Sequence, residues 1–165
     1  IEQENGGPAV ARNVAMEAAS GDLIAFCDSD DEIRPDKIEK QVAYLAEHPE
    51  TDCLLTWQKY RLEEGASLPS WLKAEDLELE GTYPFSMMLR RDVVDRIGPL
   101  DPDFVPSEDM EWLFRMRSMG VRIETLTEAL HLRRLHGENL TQNLPVANMQ
   151  LLRAVHRTLI RQRSE

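Results

Sequence analysis

The sequence predicts an α/β fold, because short apolar runs alternate with helical patterns along the whole chain. Apolar runs that suit buried strands lie at 23–27, 53–57 and 85–89. Stretches with helical periodicity lie between and after them, and glycine or proline marks their ends. The 165 residues suffice for one domain with its own hydrophobic core. Such alternation is typical of helices layered on a sheet.

Helices are predicted wherever apolar residues recur at spacings of three and four. The predicted helices cover 8–19, 35–48, 93–97, the segment after Ser107, and 145–165. Ser107 is a suitable N-cap residue because its hydroxyl can accept a hydrogen bond from the first helical turn.

Two more strands and one loop complete the predicted order of elements. The strands are expected at 121–124 and 129–132, where apolar residues return in short runs. Residues 61–80 contain glycine, proline and several acids without a period, so they are expected to form a loop excursion. Trp71 lies in that excursion and is a candidate for stacking on a sugar acceptor.

The composition limits the classes of partner. Thirty acidic and 19 basic residues give a formal net charge of −11, which argues against a nucleic-acid partner. An acidic protein that binds a phosphorylated ligand needs a local positive charge, such as a divalent cation. Cys27 and Cys53 lie in apolar runs and are expected to be reduced thiols, which suits a cytoplasmic location.

An acidic turn follows the first predicted strand. Its residues are Asp28, Ser29, Asp30, Asp31 and Glu32. In open α/β sheets, ligands bind at the carboxyl ends of strands. Neighbouring carboxylates repel one another unless a cation lies among them, and Mg²⁺ and Mn²⁺ prefer oxygen ligands.

Three interpretations of the acidic turn stay open at this point. It is a metal site, or a solvated loop whose acids favour the N-terminus of the next helix. It also resembles the nucleophile motif of haloacid-dehalogenase-like phosphatases, in which Asp28 would attack the phosphate.

A longer series of motifs is similar to the inverting family 2 glycosyltransferases. The matching segments are NGGPAVARN at 5–13, SGDLIAF at 20–26, DSDD at 28–31, MLRR at 88–91, IGPLD at 97–101, SED at 107–109 and RLH at 134–136. The resemblance implies a GT-A fold, a Rossmann-like, mixed and mostly parallel sheet flanked by helices. It further implies that the family's opening segment is missing, so that residues 1–144 are the C-terminal portion of the catalytic domain and 145–165 a C-terminal helix.

The resemblance assigns donor-binding roles to five residues. Asp28 and Asp30 match the D-x-D motif, which binds Mn²⁺ or Mg²⁺ and, through it, the donor diphosphate; Asp31 lies beside them. His136 matches a histidine that completes the metal site in many such enzymes. Arg12 matches an arginine near the nucleotide base.

The resemblance assigns catalysis to the next motif. Asp109 matches the general base that takes the proton from the acceptor hydroxyl, and Glu108 assists in binding or positioning the acceptor. The implied reaction moves a hexose, with inversion, from a UDP-, dTDP- or GDP-linked donor to a saccharide, lipid-linked or protein acceptor in bacterial polysaccharide biosynthesis. Asp109 as a simple capping acid, and the chain as a non-catalytic binding or assembly fragment, are the alternatives.

Two surfaces suggest further partners. Arg153, Arg157 and Arg161 share one face of the last predicted helix, which suits either peripheral contact with an anionic membrane or simple solvation. A domain without its first strand would expose a sheet edge, so we expect low stability alone or pairing with a second copy as a homodimer.

Overall fold

The computed structural model describes residues 1–69, 72–73, 77, 81–82 and 84–136. Trp71 and the predicted helix at 145–165, with its three arginines, lie outside these ranges. The described residues form two compact units. The first, here the helical unit, comprises 1–24 and 90–121; the second, here the sheet unit, comprises 25–89 and 122–136. No helix in the described ranges combines the length and apolar character that crossing a bilayer requires.

The helical unit contains α1 (Gly7–Ala18), α3 (Arg91–Ile97) and α4 (Glu108–Ser118). A 3-10 turn at Pro102–Phe104 lies between α3 and α4. The core of the helical unit is apolar and includes a fully buried tryptophan on α4. The buried apolar side chains are Ala9, Met16, Ile24, Val93, Ile97, Leu100, Phe104, Trp112, Leu113, Met116 and Val121. Burial of this apolar surface is the main favourable contribution to the folding of the unit.

The ends of these helices follow from local chemistry. A proline in the first turn of α1 has a suitable fixed φ and no amide to leave unpaired. Gly98 ends α3 at φ 78°, which is the left-handed region that glycine enters without steric cost. Ser107 occupies the N-cap position of α4, as predicted, although its side chain makes no capping hydrogen bond.

Where the structure describes it, the sheet unit is a mixed sheet that packs with the helix α2 (Lys37–Glu47). Its strands are β2 (Glu32–Ile33), β3 (Cys53–Leu62), β4 (Gly81–Thr82), β5 (Met88–Arg90) and β6 (Ile123–Leu135). The order is β5-β3-β6-β2, and β4 pairs with β3. The longest ladder, between β3 and β6, is parallel, whereas β2, β4 and β5 pair in the antiparallel sense. The chain enters this unit within β1 (Leu23–Ala25).

A buried polar network joins α2 to the strands. Gln41 is fully buried, and its Nε2 donates to the carbonyl oxygens of Leu54 and Ser86 at 3.1 and 3.0 Å. The Ser86 hydroxyl accepts from the Thr56 amide and donates to the Thr56 carbonyl. Such bonds satisfy backbone groups that the sheet leaves unpaired, and an unmade bond at a buried group is costly.

Several element boundaries differ from the predicted ones. One strand, β6, takes the place of the two predicted at 121–124 and 129–132, because Thr125 and Leu126 pair with β3 and a register shift at residues 127–128 does not end the strand. The same ladder extends β3 to Leu62, into the predicted loop excursion. The apolar run at 85–89 is divided between a 3-10 turn, Pro84–Ser86, and β5.

Candidate functional site

The acidic turn lies in the sheet unit between β1 and β2. Its chain reverses at Asp28, whose carbonyl accepts a hydrogen bond from the Asp31 amide at 3.1 Å. The next residues form β2, which pairs with β6 at Glu32 and Ile33. The turn is therefore attached to the sheet immediately after its acidic residues.

Asp31 ties the turn to β6 through both oxygens of its carboxylate. Oδ2 lies 2.8 Å from Nε2 of His131, and Oδ1 accepts from the backbone amide of Arg134 at 3.0 Å. The His131 and Asp31 side chains are 0% and 4% exposed, so solvent scarcely screens the contact. The pair fixes the turn against the far end of β6. His131 lies 100 residues from Asp31, and nothing in the local sequence marks it as the partner of the turn.

Asp30 and His136 lie side by side at the surface of the same unit. Oδ2 of Asp30 is 2.9 Å from Nε2 of His136, and their side chains are 45% and 30% exposed. Burial raises the pKa of Asp30, but the hydrogen bond from His136, a backbone hydrogen bond and nearby positive charge outweigh it, so the pKa lies below its usual range. The structure thus brings together two of the residues predicted for a metal site.

The donor atoms of this pair suit a divalent cation. Two ligands about 2.1 Å from one Mg²⁺ or Mn²⁺, at a right angle, are about 3 Å apart. Carboxylate oxygen is a typical ligand of Mg²⁺ and Mn²⁺, and imidazole nitrogen is a typical ligand of transition-metal ions. The described residues contain no group of three His, Cys, Asp or Glu side chains arranged for a metal. An ion held by this pair would need further ligands, such as phosphate oxygens and water, which Mg²⁺ commonly retains.

Ion pairs surround the turn on the exposed side. Arg61 on β3 pairs with Glu32 and, at 3.3 Å, with Glu63. Arg134 pairs with Glu63 at 2.8 Å, and this contact lowers the pKa of Glu63. Exposed pairs contribute little to stability. Their effect is to leave less uncompensated negative charge beside the acidic turn.

The residues predicted for catalysis lie in the helical unit, at the first turn of α4. The carboxylate of Asp109 accepts a hydrogen bond from the Met110 amide at 2.7 Å. Glu108 is buried, and its Oε1 accepts from Nη1 of Arg12 at 2.8 Å. Negative charge is favourable at a helix N-terminus, where unpaired amides give a partial positive charge. The structure therefore joins Arg12, predicted to lie near the nucleotide base, to Glu108.

Side chains from two helices of the helical unit make hydrogen bonds to the backbone of the segment 97–100. Asn13 donates to the Leu100 carbonyl and accepts from the Leu100 amide, both at 2.8 Å. Trp112 donates from Nε1 to the Gly98 carbonyl at 2.9 Å. The buried Arg115 donates to the carbonyls at 97 and 99. These bonds attach both α1 and α4 to one short segment of backbone.

Comparison with known proteins decides the family of this chain. The family model described as Glycosyl transferase family 2 matches residues 1–107. The chain belongs to the family 2 glycosyltransferases. This confirms the resemblance seen in the motifs and leaves the phosphatase alternative without support.

Individual members of the family are moderately similar. The uncharacterised glycosyltransferase YwdF of Bacillus subtilis is 31% identical over 126 residues, which cover 70% of this chain and 46% of YwdF. The poly(ribitol-phosphate) beta-N-acetylglucosaminyltransferase TarS of Staphylococcus aureus is 39% identical over 59 residues, or 36% of this chain and 10% of TarS. The chain thus spans less than half the length of either relative.

Solved structures establish the fold. TarS residues 1–349 from S. aureus, crystallised with UDP-GlcNAc, superpose with a TM-score of 0.63 at 23% identity, covering 86% of this chain and 43% of that one. Glucosyl-3-phosphoglycerate synthase of Mycobacterium tuberculosis gives 0.57 at 15% identity, covering 96% and 56%. The predicted α/β fold of the GT-A type is confirmed.

Proposed function

We propose that this chain carries part of the active site of an inverting, metal-dependent glycosyltransferase. Membership of family 2 supports sugar transfer as the reaction class. The observation that carries the finer proposal is the contact between Asp30 and His136. It brings a carboxylate oxygen and an imidazole nitrogen, two types of atom that bind metal ions, to within 2.9 Å of each other across 106 residues of sequence. Asp28, two residues before Asp30 in the same turn, is proposed as a further ligand of the ion and, through the ion, to support binding of the diphosphate.

The metal would solve an electrostatic problem for an acidic protein. A formal charge of −11 repels a nucleotide diphosphate, and the turn itself is rich in carboxylates. A bound Mn²⁺ or Mg²⁺ supplies Lewis-acid stabilisation of the departing diphosphate. The chain's own contribution is to hold Asp30 and His136 together and to fix the turn through Asp31. We propose that Asp31 supports donor binding in this indirect way.

Asp109 is proposed as the general base. Inversion requires a group that removes the proton of the acceptor hydroxyl as the hydroxyl attacks the anomeric carbon. Asp109 follows the N-cap residue by two positions, and the Met110 amide holds one of its oxygens. The carboxylate of Asp109 is proposed to take the proton. Glu108 is proposed to help position the acceptor.

The donor and acceptor classes are proposed from the relatives. A structure of TarS contains UDP-GlcNAc, so a UDP-linked sugar is the first donor to test. The name of TarS specifies transfer of N-acetylglucosamine to a poly(ribitol-phosphate), so we propose a polymer with free hydroxyl groups, such as a polyol phosphate, as the first acceptor class to test.

Nucleotide release from a panel of UDP-, dTDP- and GDP-linked hexoses, with and without Mn²⁺, tests this proposal on the full-length protein. We expect Mn²⁺-dependent release with at least one UDP-sugar. Asp109→Asn should lower kcat by 10²-fold or more, in the range typical of a lost general base, and should preserve donor binding. Donor binding without release under any condition would instead favour a non-catalytic binding protein.

A further inference from the structure

The contact between Arg12 and Glu108 links the N-terminal motif of the chain to the proposed catalytic motif. The guanidinium Nη1 lies 2.8 Å from Oε1 of Glu108, and the side chains are only 17% and 5% exposed. From this geometry we infer that Arg12 is a positioning residue: it holds Glu108 and thereby orients Asp109, and it does not act by binding the nucleotide. The inference rests on the proposed function, in which Asp109 is the base.

The helices that carry Arg12 and Glu108 are both hydrogen-bonded to the segment 97–100. Asn13, next to Arg12 on α1, makes two hydrogen bonds of 2.8 Å to Leu100. On α4, Trp112 and Arg115 bond to the carbonyls of the same segment. The ion pair joins α1 to the first turn of α4, and that turn includes Asp109. Displacement of Glu108 would therefore be transmitted to the adjacent Asp109 along the helix backbone.

The charge of Glu108 requires a partner because the side chain is buried. Within the described residues, its Oε2 has no hydrogen-bond partner, so Oε1 carries the contact that compensates the carboxylate. A buried carboxylate that loses its cation either takes up a proton or moves to reach water. Either response would alter the turn that presents Asp109. An arginine that binds the nucleotide would need a guanidinium that the ligand can reach, whereas the guanidinium of Arg12 is directed to a buried carboxylate.

Kinetics on the full-length protein distinguish positioning from nucleotide binding. We would compare Arg12→Met, Arg12→Lys and Glu108→Gln by kcat for UDP release, and by the Kd for UDP with Mn²⁺ from calorimetry. Arg12→Met should lower kcat at least tenfold and leave the Kd for UDP within twofold. Arg12→Lys should restore part of kcat, because it keeps the charge but loses the fork geometry. The matched control is Arg117→Met, which replaces an exposed arginine on α4, the helix that begins at Glu108. This variant should keep the kcat of the wild type.

The double variant Arg12→Met/Glu108→Gln supplies a second criterion. If Arg12 acts through Glu108, the double variant should have the kcat of Glu108→Gln alone, since coupled residues are not additive. Additive losses, or a tenfold weaker Kd for UDP with kcat unchanged in Arg12→Met, would overturn the inference. Asp109→Asn distinguishes failure of the proposed function from failure of the inference about Arg12. If Asp109→Asn retains kcat, the proposed function fails. If Asp109→Asn is inactive and Arg12→Met has full kcat, only the role of Arg12 is rejected.

Discussion

Replacing Lys37 by methionine tests how the sheet unit tolerates a buried cation. Lys37 is the first residue of α2, its side chain is 0% exposed, and its Nζ has no hydrogen-bond partner among the described residues. Burial lowers the pKa of Lys37 to about 8 from an ordinary value of 10.5, and the charge interaction with the nearby Cys27 opposes that shift only in part. The ammonium ion therefore destabilises the folded state at neutral pH.

The sign and size of the effect follow from proton linkage. Between pH 8 and 10.5 the unfolded chain binds a proton at Lys37 that the folded chain lacks, so stability rises with pH across this window. At about 1.4 kcal/mol per pKa unit, the shift corresponds to about 3 kcal/mol. Lys37→Met should thus stabilise the protein by up to about 3 kcal/mol at pH 7, since methionine fills a similar volume, and by almost nothing above pH 10.5.

Urea unfolding of the full-length protein at pH 7, 8, 9 and 10 measures this difference. The control is Lys59→Met at an exposed position on β3, which should change the free energy of unfolding by less than about 0.5 kcal/mol. The reasoning would be refuted if Lys37→Met destabilised the protein at pH 7. It would also be refuted if the difference between Lys37→Met and the wild type were independent of pH.

Three further predictions concern the two units separately. Asp31→Asn should cost about 1–3 kcal/mol, because it weakens a buried contact to His131, and should raise the Kd for Mn²⁺-UDP; circular dichroism melts and calorimetry measure both, and an unchanged Tm would contradict it. Gly98→Ala should cost about 1–2 kcal/mol from its φ of 78° alone, since the added methyl group meets no atom closer than 3.9 Å; a neutral effect on urea unfolding would exclude that strain. Iodoacetamide should label the exposed Cys27 and spare Cys53, whose pKa burial raises to about 12; mass spectrometry that finds Cys53 labelled in the folded protein at pH 8 would contradict the structure.

The sequence predicted the parts of the fold that local patterns encode. The acidic turn directly after β1 and the start of α4 at Ser107 follow from an apolar run and from an N-cap residue, both of which are local signals. Asp30 and His136 are 106 residues apart in the sequence, and only their resemblance to two family motifs predicted that the two side chains would lie together.

Features that depend on distant contacts could not be predicted in the same way. No local pattern marks His131 as the partner of Asp31, because the pairing depends on the antiparallel register of β2 and β6. Lys37 resembles a solvated residue in the first turn of a helix, yet it is fully buried. The polar residues in the middle of β6 suggested a break between two strands, but the pairing with β3 continues on both sides of a register shift and makes one strand.

Calorimetric titration of UDP into the full-length protein, with and without Mn²⁺, tests the central claim most directly. If Asp30 and His136 share one ion that carries the diphosphate, omission of Mn²⁺ should weaken UDP binding tenfold or more. Asp30→Asn and His136→Ala should each do the same, whereas His48→Ala, at an exposed histidine paired with Glu50, should bind UDP like the wild type. UDP binding that is indifferent to Mn²⁺ and unchanged in both site variants would contradict the account.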